Sequence, residues 1–261
     1  MGLPALPPTM RWSAPAHWQA IDVLSDLHLS AATPRTFDAF AAHLLHTPAD
    51  AIVLLGDVFE FWVGDDQRDQ PFERRCLDVL AQTARRRHLA FMAGNRDFLA
   101  GDALREACGW QVLSDPTVLQ AFDRSWLLTH GDELCLADTE YQRFRTLSRG
   151  DEWQRAFLAQ PLSARLAQAT AARAASEARK RETGIDPELW ADVDPDAAAA
   201  WLRAAGASTL VHGHTHRPGA ETLAPGLDRQ VLSDWDLDHG KRAEVLRLSV
   251  RGLDRLPPVS R

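Results

Sequence analysis

The chain has 261 residues, 45% of them hydrophobic and 25% charged, with a formal net charge of −7. That is enough for one large α/β domain or a domain with a lid, and the acidic balance argues, without excluding a local basic patch, against a nucleic-acid protein. No apolar stretch reaches the ~18 residues of a membrane span, and three scattered cysteines with no C-x-x-C pair fit a reduced, cytoplasmic setting better than a disulfide framework. The opening MGLPALPPTMRWSAPAHW is Pro-rich and lacks an apolar signal core, so residues 1–17 read as a loose tail, with Met10 as an alternative start. Leu6 stands where a myristoylation signal wants Ser or Thr. AIDVLS then reads as a strand, and Thr33-Pro34 as a helix N-cap followed by Pro in the first turn. Phe37, Phe40, Ala41 and Leu44 line one face of that helix. AIVLLGD is a second strand, followed by a helix over about 72–87 and the strand HLAFMAG. Short strands follow at TVLQAF and SWLLTHGD. Residues 138–205 are Ala- and Arg-rich and helical, and the strands STLVHG, RQVLSDW and AEVLRLSV close the chain. The pattern predicts a sheet-based α/β domain carrying one helical insertion.

Five apolar runs end in residues that bind metals. They lead into Asp26-Leu27-His28, Gly56-Asp57, Gly94-Asn95-Arg96-Asp97, His130-Gly131-Asp132, and His212-Gly213-His214-Thr215-His216. Ligand sites in open α/β sheets lie beyond the carboxyl ends of strands, so these five can converge on one point. Gly56, Gly94, Gly131 and Gly213 suit sharp turns and close backbone approach. Any one block alone reads more simply as a cap, a turn former or a satisfied histidine. Five in register are hard to explain that way. Carboxylate, imidazole and amide ligands with no thiol suit Mn²⁺, Fe or Zn²⁺ rather than a soft metal. The number of donors exceeds what one ion needs, which suggests two ions sharing a carboxylate.

In this order, D-x-H, G-D, G-N-R-D, H-G-D and G-H-x-H resemble the calcineurin-type metallophosphoesterases. DLHLS, GDVFEFWVGDD, GNRDFL, HGDELC and HGHTHRP are similar to the branch of that family that cleaves the diphosphate of UDP-2,3-diacylglucosamine in lipid A synthesis, over about residues 20–250. FEFWVGDD is the most specific of these, because it adds no metal ligand yet matches the branch.

The resemblance implies a sandwich of two sheets flanked by helices, with a helical lid insertion. Its divisions would be a tail over 1–17, the phosphoesterase core over 18–137, the lid over 138–205 and the closing core strands over 206–261. Asp26, His28, Asp57 and His216 would hold one divalent ion and Asp57, Asn95, His130 and His214 the other, with Mn²⁺ the expected metal. His212 would stand behind the ligands. Asp57, Asn95, Arg96 and His214 would carry catalysis, with Arg96 as a fork for phosphate; its competing reading is an ion pair with Asp97. Asn95, Arg96, Asp138, Ser176, Lys180, Thr183 and His214 would touch substrate. Lys180 and Thr183 stand where the family commonly has Asn and Lys, so head-group contacts depart from its pattern there. Asp65 and Asp66 would shape a loop.

Tyr141, Phe144, Trp153, Phe157, Leu158, Leu162 and Leu166 give the insertion apolar surface for acyl chains, or simply pack it onto the core. Arg165, Arg173, Arg179, Lys180 and Arg181 would meet diphosphate or anionic headgroups, or form a solvated helix face. The partners implied are a lipid-linked UDP-sugar and the cytoplasmic face of the inner membrane, touched peripherally by a monomer that binds no nucleic acid. Two alternatives stand beside this: a metallophosphoesterase acting on another nucleotide or phosphodiester, and a metal-bound scaffold without catalysis.

Overall fold

A computed structural model of the chain describes residues 3–182 and 192–260, without the side chains of 176, 177 and 179–182. The strand β3 (Ala51–Leu55) is buried along its whole length. It is covered on both faces, which is why its sequence is a continuous apolar run rather than an alternation. It lies between β2 (Ala20–Leu24) and β4 (His88–Met92), parallel to both. The short β5 (Gln111–Val112) extends this sheet beyond β4. On the other side β11 (Val245–Ser249) pairs antiparallel with β2, and β12 (Gly252–Leu256) with β11. The order of this first sheet is β12-β11-β2-β3-β4-β5.

The second sheet runs β1 (Met10–Ser13), β6 (Thr117–Ala121), β7 (Arg124–Leu128), β8 (Thr209–His212), β10 (Leu227–Val231), β9 (Gly219–Ala224). Ile21, Val23, Val53, Leu55 and Met92 of the first sheet pack against Leu119, Trp126, Leu128 and Val211 of the second. The opposite face of the first sheet carries α1 (Pro34–His46), α2 (Pro71–Ala84) and α3 (Asp102–Cys108) over Leu24, Ile52, Leu54 and Phe91. The outer face of the second carries α7 (Pro195–Ala205), whose Trp201 and Leu202 meet Val118, Leu127 and Leu210. The result is four layers, helices on each side of two facing sheets.

The structure departs from the sequence reading in three places. Residues 10–13, inside the expected loose tail, form β1 against β6, because Trp12 is buried with Trp18 beside the inter-sheet core. Trp201 also donates its indole N–H to the Pro4 carbonyl, which ties the segment down further. The helical stretch 138–205 is not uniform: α7 is a layer of the sandwich, and α4 (Thr139–Ser148), α5 (Asp151–Leu158) and α6 (Leu162–Glu182) stand beside the site. Thr33 does sit before α1 with Pro34 in the first turn, but its hydroxyl does not cap the helix. Asp238, some 200 residues away, accepts from the Arg35 and Thr36 amides at 3.0 Å each, so the cap is tertiary.

Candidate metal centre

The five blocks follow β2, β3, β4, β7 and β8, which places them at the same end of both sheets. Backbone bonds knit the loops together. Asp26 donates to the Gly56 carbonyl at 3.1 Å, Leu27 and His28 donate to Asp57 at 2.9 and 3.1 Å, and Gly213 donates to His130 at 3.0 Å. Glycine allows the remaining approach: a Cβ on Gly94 would overlap Asp57 Oδ1, and one on Gly213 would overlap Ser25 Oγ and Asp26 Oδ2.

Two groups of donors emerge. Around the first, His28 Nε2 and His216 Nε2 lie 3.1 Å apart, and His216 Nε2 is 3.2 Å from Asp26 Oδ1. Around the second, Asn95 Oδ1 lies 3.0 Å from His130 Nε2 and 2.7 Å from His214 Nδ1. Asp57 Oδ1 is 3.6 Å from His130 Nε2. Asp26, Asp57 and His130 are also close enough together to share an ion. The backbone marks the same residues. Of the eight non-glycine residues with positive φ among those described, five are Asp26, His28, Asp57, His214 and His216. Such conformations cost about 1–3 kcal/mol each and cluster where a site demands them.

A divalent ion fits this donor set. The donors are carboxylate, imidazole and amide, which is hard-to-borderline chemistry. Asp26 Oδ1 and His28 Nδ1 are buried without a hydrogen bond. Burial pushes all three thiols, Cys76, Cys108 and Cys135, up, and none belongs to either donor group. The donors act on one another's charge. Burial opposes protonation of His130, but Asp57, Asp26 and Asp132 outweigh it and raise it to about 9. Burial and the His130 charge push His214 down to about 3.

A model of the calcineurin-like phosphoesterase family matches residues 20–218, spanning all five blocks. The chain belongs to that family. It is similar to proteins named UDP-2,3-diacylglucosamine hydrolase. The one from Chromobacterium violaceum is 42% identical over 240 residues, covering 91% of this chain and 98% of the relative. That from Ralstonia nicotianae is 43% identical, covering 86% and 87%, and that from Bordetella pertussis 42%, covering 82% and 85%.

Apart from Arg96, the other residues of the family blocks turn away from the donor side chains. Asp97 is fully buried and accepts from the Gly94 and Val58 amides at 2.7 Å each and from Asp57 at 3.2 Å. It is the staple between the Asp57 and Asn95 loops rather than the partner of Arg96. Arg96 instead donates to Glu60 at 3.0 Å, with its Nε 3.4 Å from Asp57 Oδ2. Asp132 is turned to α4, where it accepts from the Tyr141 hydroxyl and from Arg145 Nε at 3.0 Å. Asp138 caps α4, accepting from the Tyr141 amide at 3.0 Å. His212 is buried outside both groups, its Nδ1 2.8 Å from the Gly213 carbonyl.

The FEFWVGDD block holds α5 and α6. Val63 packs with Leu99 and Phe157, joined by Phe61, Phe98, Trp153, Leu162 and Leu166. Gly64 has φ 133°, and a Cβ there would overlap the Arg165 guanidinium. Arg165 is buried, bonded to the Val63 and Gln160 carbonyls and to Asp66, so it is not available to a headgroup. Asp65 accepts from Trp62 Nε1 at 3.0 Å and from the Gly101 and Leu104 amides at 2.9 and 3.0 Å, anchoring the start of α3. Arg173 of α6 pairs with Glu60, which also holds Arg96. The side chains of Ser176, Arg179, Lys180 and Arg181, and all of Thr183, lie outside the described residues.

Proposed function

We propose that the chain is a dinuclear metal-dependent hydrolase that attacks the α-phosphorus of UDP-2,3-diacylglucosamine with water, giving UMP and 2,3-diacylglucosamine 1-phosphate. The observation that carries the reading is the convergence of seven nitrogen and oxygen donors from five strand ends, five of them on left-handed backbone. The substrate rests on the names of relatives aligned over most of the chain.

Asp26, His28, Asp57 and His216 would hold one ion and Asp57, Asn95, His130 and His214 the other, with Mn²⁺ the expected metal. Two divalent ions would supply Lewis-acid activation of water and neutralise phosphoryl charge. The chain's own residues supply position. His130 Nδ1 sits 3.0 Å from the Leu55 carbonyl, which fixes the ring with Nε2 toward Asn95, where an ion would take the place of the proton. Arg96 stands at the rim, 21% exposed, and its planar fork would exchange Glu60 for a phosphate. Phosphoryl transfer asks mostly for such positioning and charge.

The substrate's remainder would lie under a lid drawn from the 138–205 insertion, and α4–α6 are the part that borders the site. Asp138, Ser176, Lys180 and Thr183, with Asn95, Arg96 and His214, would contact it. Trp153, Phe157, Leu162 and Leu166 pack α5 and α6 onto the core, whereas Phe144, Leu147 and Leu158 are exposed at 44%, 59% and 42%. The exposed three support acyl-chain or peripheral contact with the cytoplasmic face of the inner membrane; the proposed protein would act as a monomer and bind no nucleic acid. Among the described residues no helix is long and apolar enough to cross a membrane. A panel assayed with Mn²⁺ tests the reading: the lipid nucleotide should far exceed UDP-sugars and a simple phosphodiester. Equal turnover of all three would place the chain with a broader phosphoesterase, and no turnover of any would make it a scaffold.

A further inference from the structure

The sequence pattern places Asp234 in the strand RQVLSDW, but β10 ends at Val231 and Asp234 lies in the loop beyond it. That loop is fixed. The Trp235 amide donates to the Asp26 carbonyl at 3.0 Å, and Trp235 Nε1 donates to the Glu244 carbonyl at 3.0 Å. Asp236 and Arg242 exchange backbone bonds of 2.7 and 2.9 Å, closing its base. Asp234 itself is buried, 7% exposed, and Arg242 Nη2 donates to its Oδ2 at 2.6 Å. The same Oδ2 stands 3.5 Å from His216 Nδ1.

His216 turns its other nitrogen, Nε2, to Asp26 and His28. For Nε2 to offer a lone pair to a cation, the ring's proton must sit on Nδ1. A neutral imidazole with its proton on Nδ1 needs an acceptor there, and Asp234 is the carboxylate in that position. Arg242 holds the same carboxylate from its other side. His28 has a carboxylate behind its Nδ1 too, Glu60, but at 4.0 Å and shared with Arg96 and Arg173.

We propose that Asp234 is a positioning residue that fixes the tautomer and ring orientation of His216 from behind and so tightens one of the two cation sites. The inference rests on the two-ion reading above. Partners of this kind, a carboxylate behind a ligating histidine, typically change metal affinity by about 10–100-fold when removed.

The test is calorimetric titration of Mn²⁺ into the full chain. Asp234→Ala should weaken one of the two sites by about 10–100-fold and leave the other within about threefold, with turnover regained at excess Mn²⁺. Asp234→Asn should fall between, because its amide oxygen still accepts. Arg242→Ala keeps the carboxylate and should weaken the same site less than Asp234→Ala. Unchanged affinities in Asp234→Ala would overturn the proposal. So would equal weakening of both sites with a lower melting temperature of the metal-free protein, since that describes a general support of the loop. If Asp234→Ala does not fold, Asp234→Asn and Arg242→Ala are read the same way. A wild-type chain that binds no Mn²⁺ would defeat the two-ion reading instead, and is seen before any variant is made.

Discussion

The strand-end loops and the helices α4–α6 arrive at one site by different means. In the loops, donors are aimed by the main chain: five sit on left-handed backbone, and the loops bond to one another through amides and carbonyls. In α4–α6 the backbone is ordinary helix, and attachment is made by side chains. Arg165 is buried against Val63 and Asp66, and Arg145 and Tyr141 meet at Asp132. Main-chain aiming leaves little freedom and suits chemistry. Side-chain docking can vary without disturbing the donors and suits selection of a substrate.

The comparison breaks most sharply at Asp57. Asp57→Ala should lower turnover by about 10³-fold or more and reduce bound metal while far-UV circular dichroism stays native, because in the proposed arrangement one carboxylate would serve both ions. Full metal content with normal turnover would refute the sharing of Asp57. Arg96 belongs to the loops by position, and its proposed role is toward the substrate. Arg96→Ala should retain both ions and lose about 10²-fold in kcat and kcat/KM together. Metal loss cured by excess Mn²⁺ would instead make Arg96 a support for its neighbours.

Acid should probe the core away from both regions. Burial pushes Asp22 up, but bonds from Arg247, His43 and Thr47 outweigh it and hold the carboxyl at about 2, below its ordinary 3.8. A group depressed on folding stabilises above its unfolded value and loses that contribution as pH falls through the folded one. About 2 kcal/mol should therefore disappear between roughly pH 4 and pH 2, and chemical denaturation of Asp22→Asn should show a flatter acid limb over that window. The smallest effect sharpens the lid side. Asp66→Asn weakens the anchor of Arg165, and should cost the lipid substrate about tenfold while sparing a small chromogenic phosphodiester. Equal losses on both would mean that α6 supports the donors rather than selecting the substrate.

The donor blocks were legible because each depends on a local pattern, an apolar strand ending in Asp, Asn or His. The five strands that carry them, β2, β3, β4, β7 and β8, were legible for the same reason. What stayed hidden depends on distant partners. Asp97 and Asp132 look like ligands in sequence, but one staples three amides and the other receives α4. Arg165 reads as a solvated helix charge until Gly64 opens room for it. β1 was hidden because its Pro-rich flanks suggest a tail, and its hold comes from β6, over a hundred residues on. Of the positive φ values, those at Asp57 and His214 left a trace in sequence, the preceding Gly56 and Gly213, whereas Asp26, His28 and His216 have no glycine beside them.

Arg149, just past the end of α4, donates to the Gly94 carbonyl at 3.1 Å and lies over the Phe98 ring, 4.4 Å from its centroid. Gly94 precedes Asn95, so the end of α4 and one loop proposed to hold a cation share a contact. A compound that wedges α4 outward must then pay for disturbing that loop, and cation occupancy must in turn oppose the wedge. Thermodynamic linkage makes the two effects equal in free energy. Inhibitors that enter beneath these helices should accordingly show potencies that shift with the Mn²⁺ concentration of the assay, even when they touch no ion.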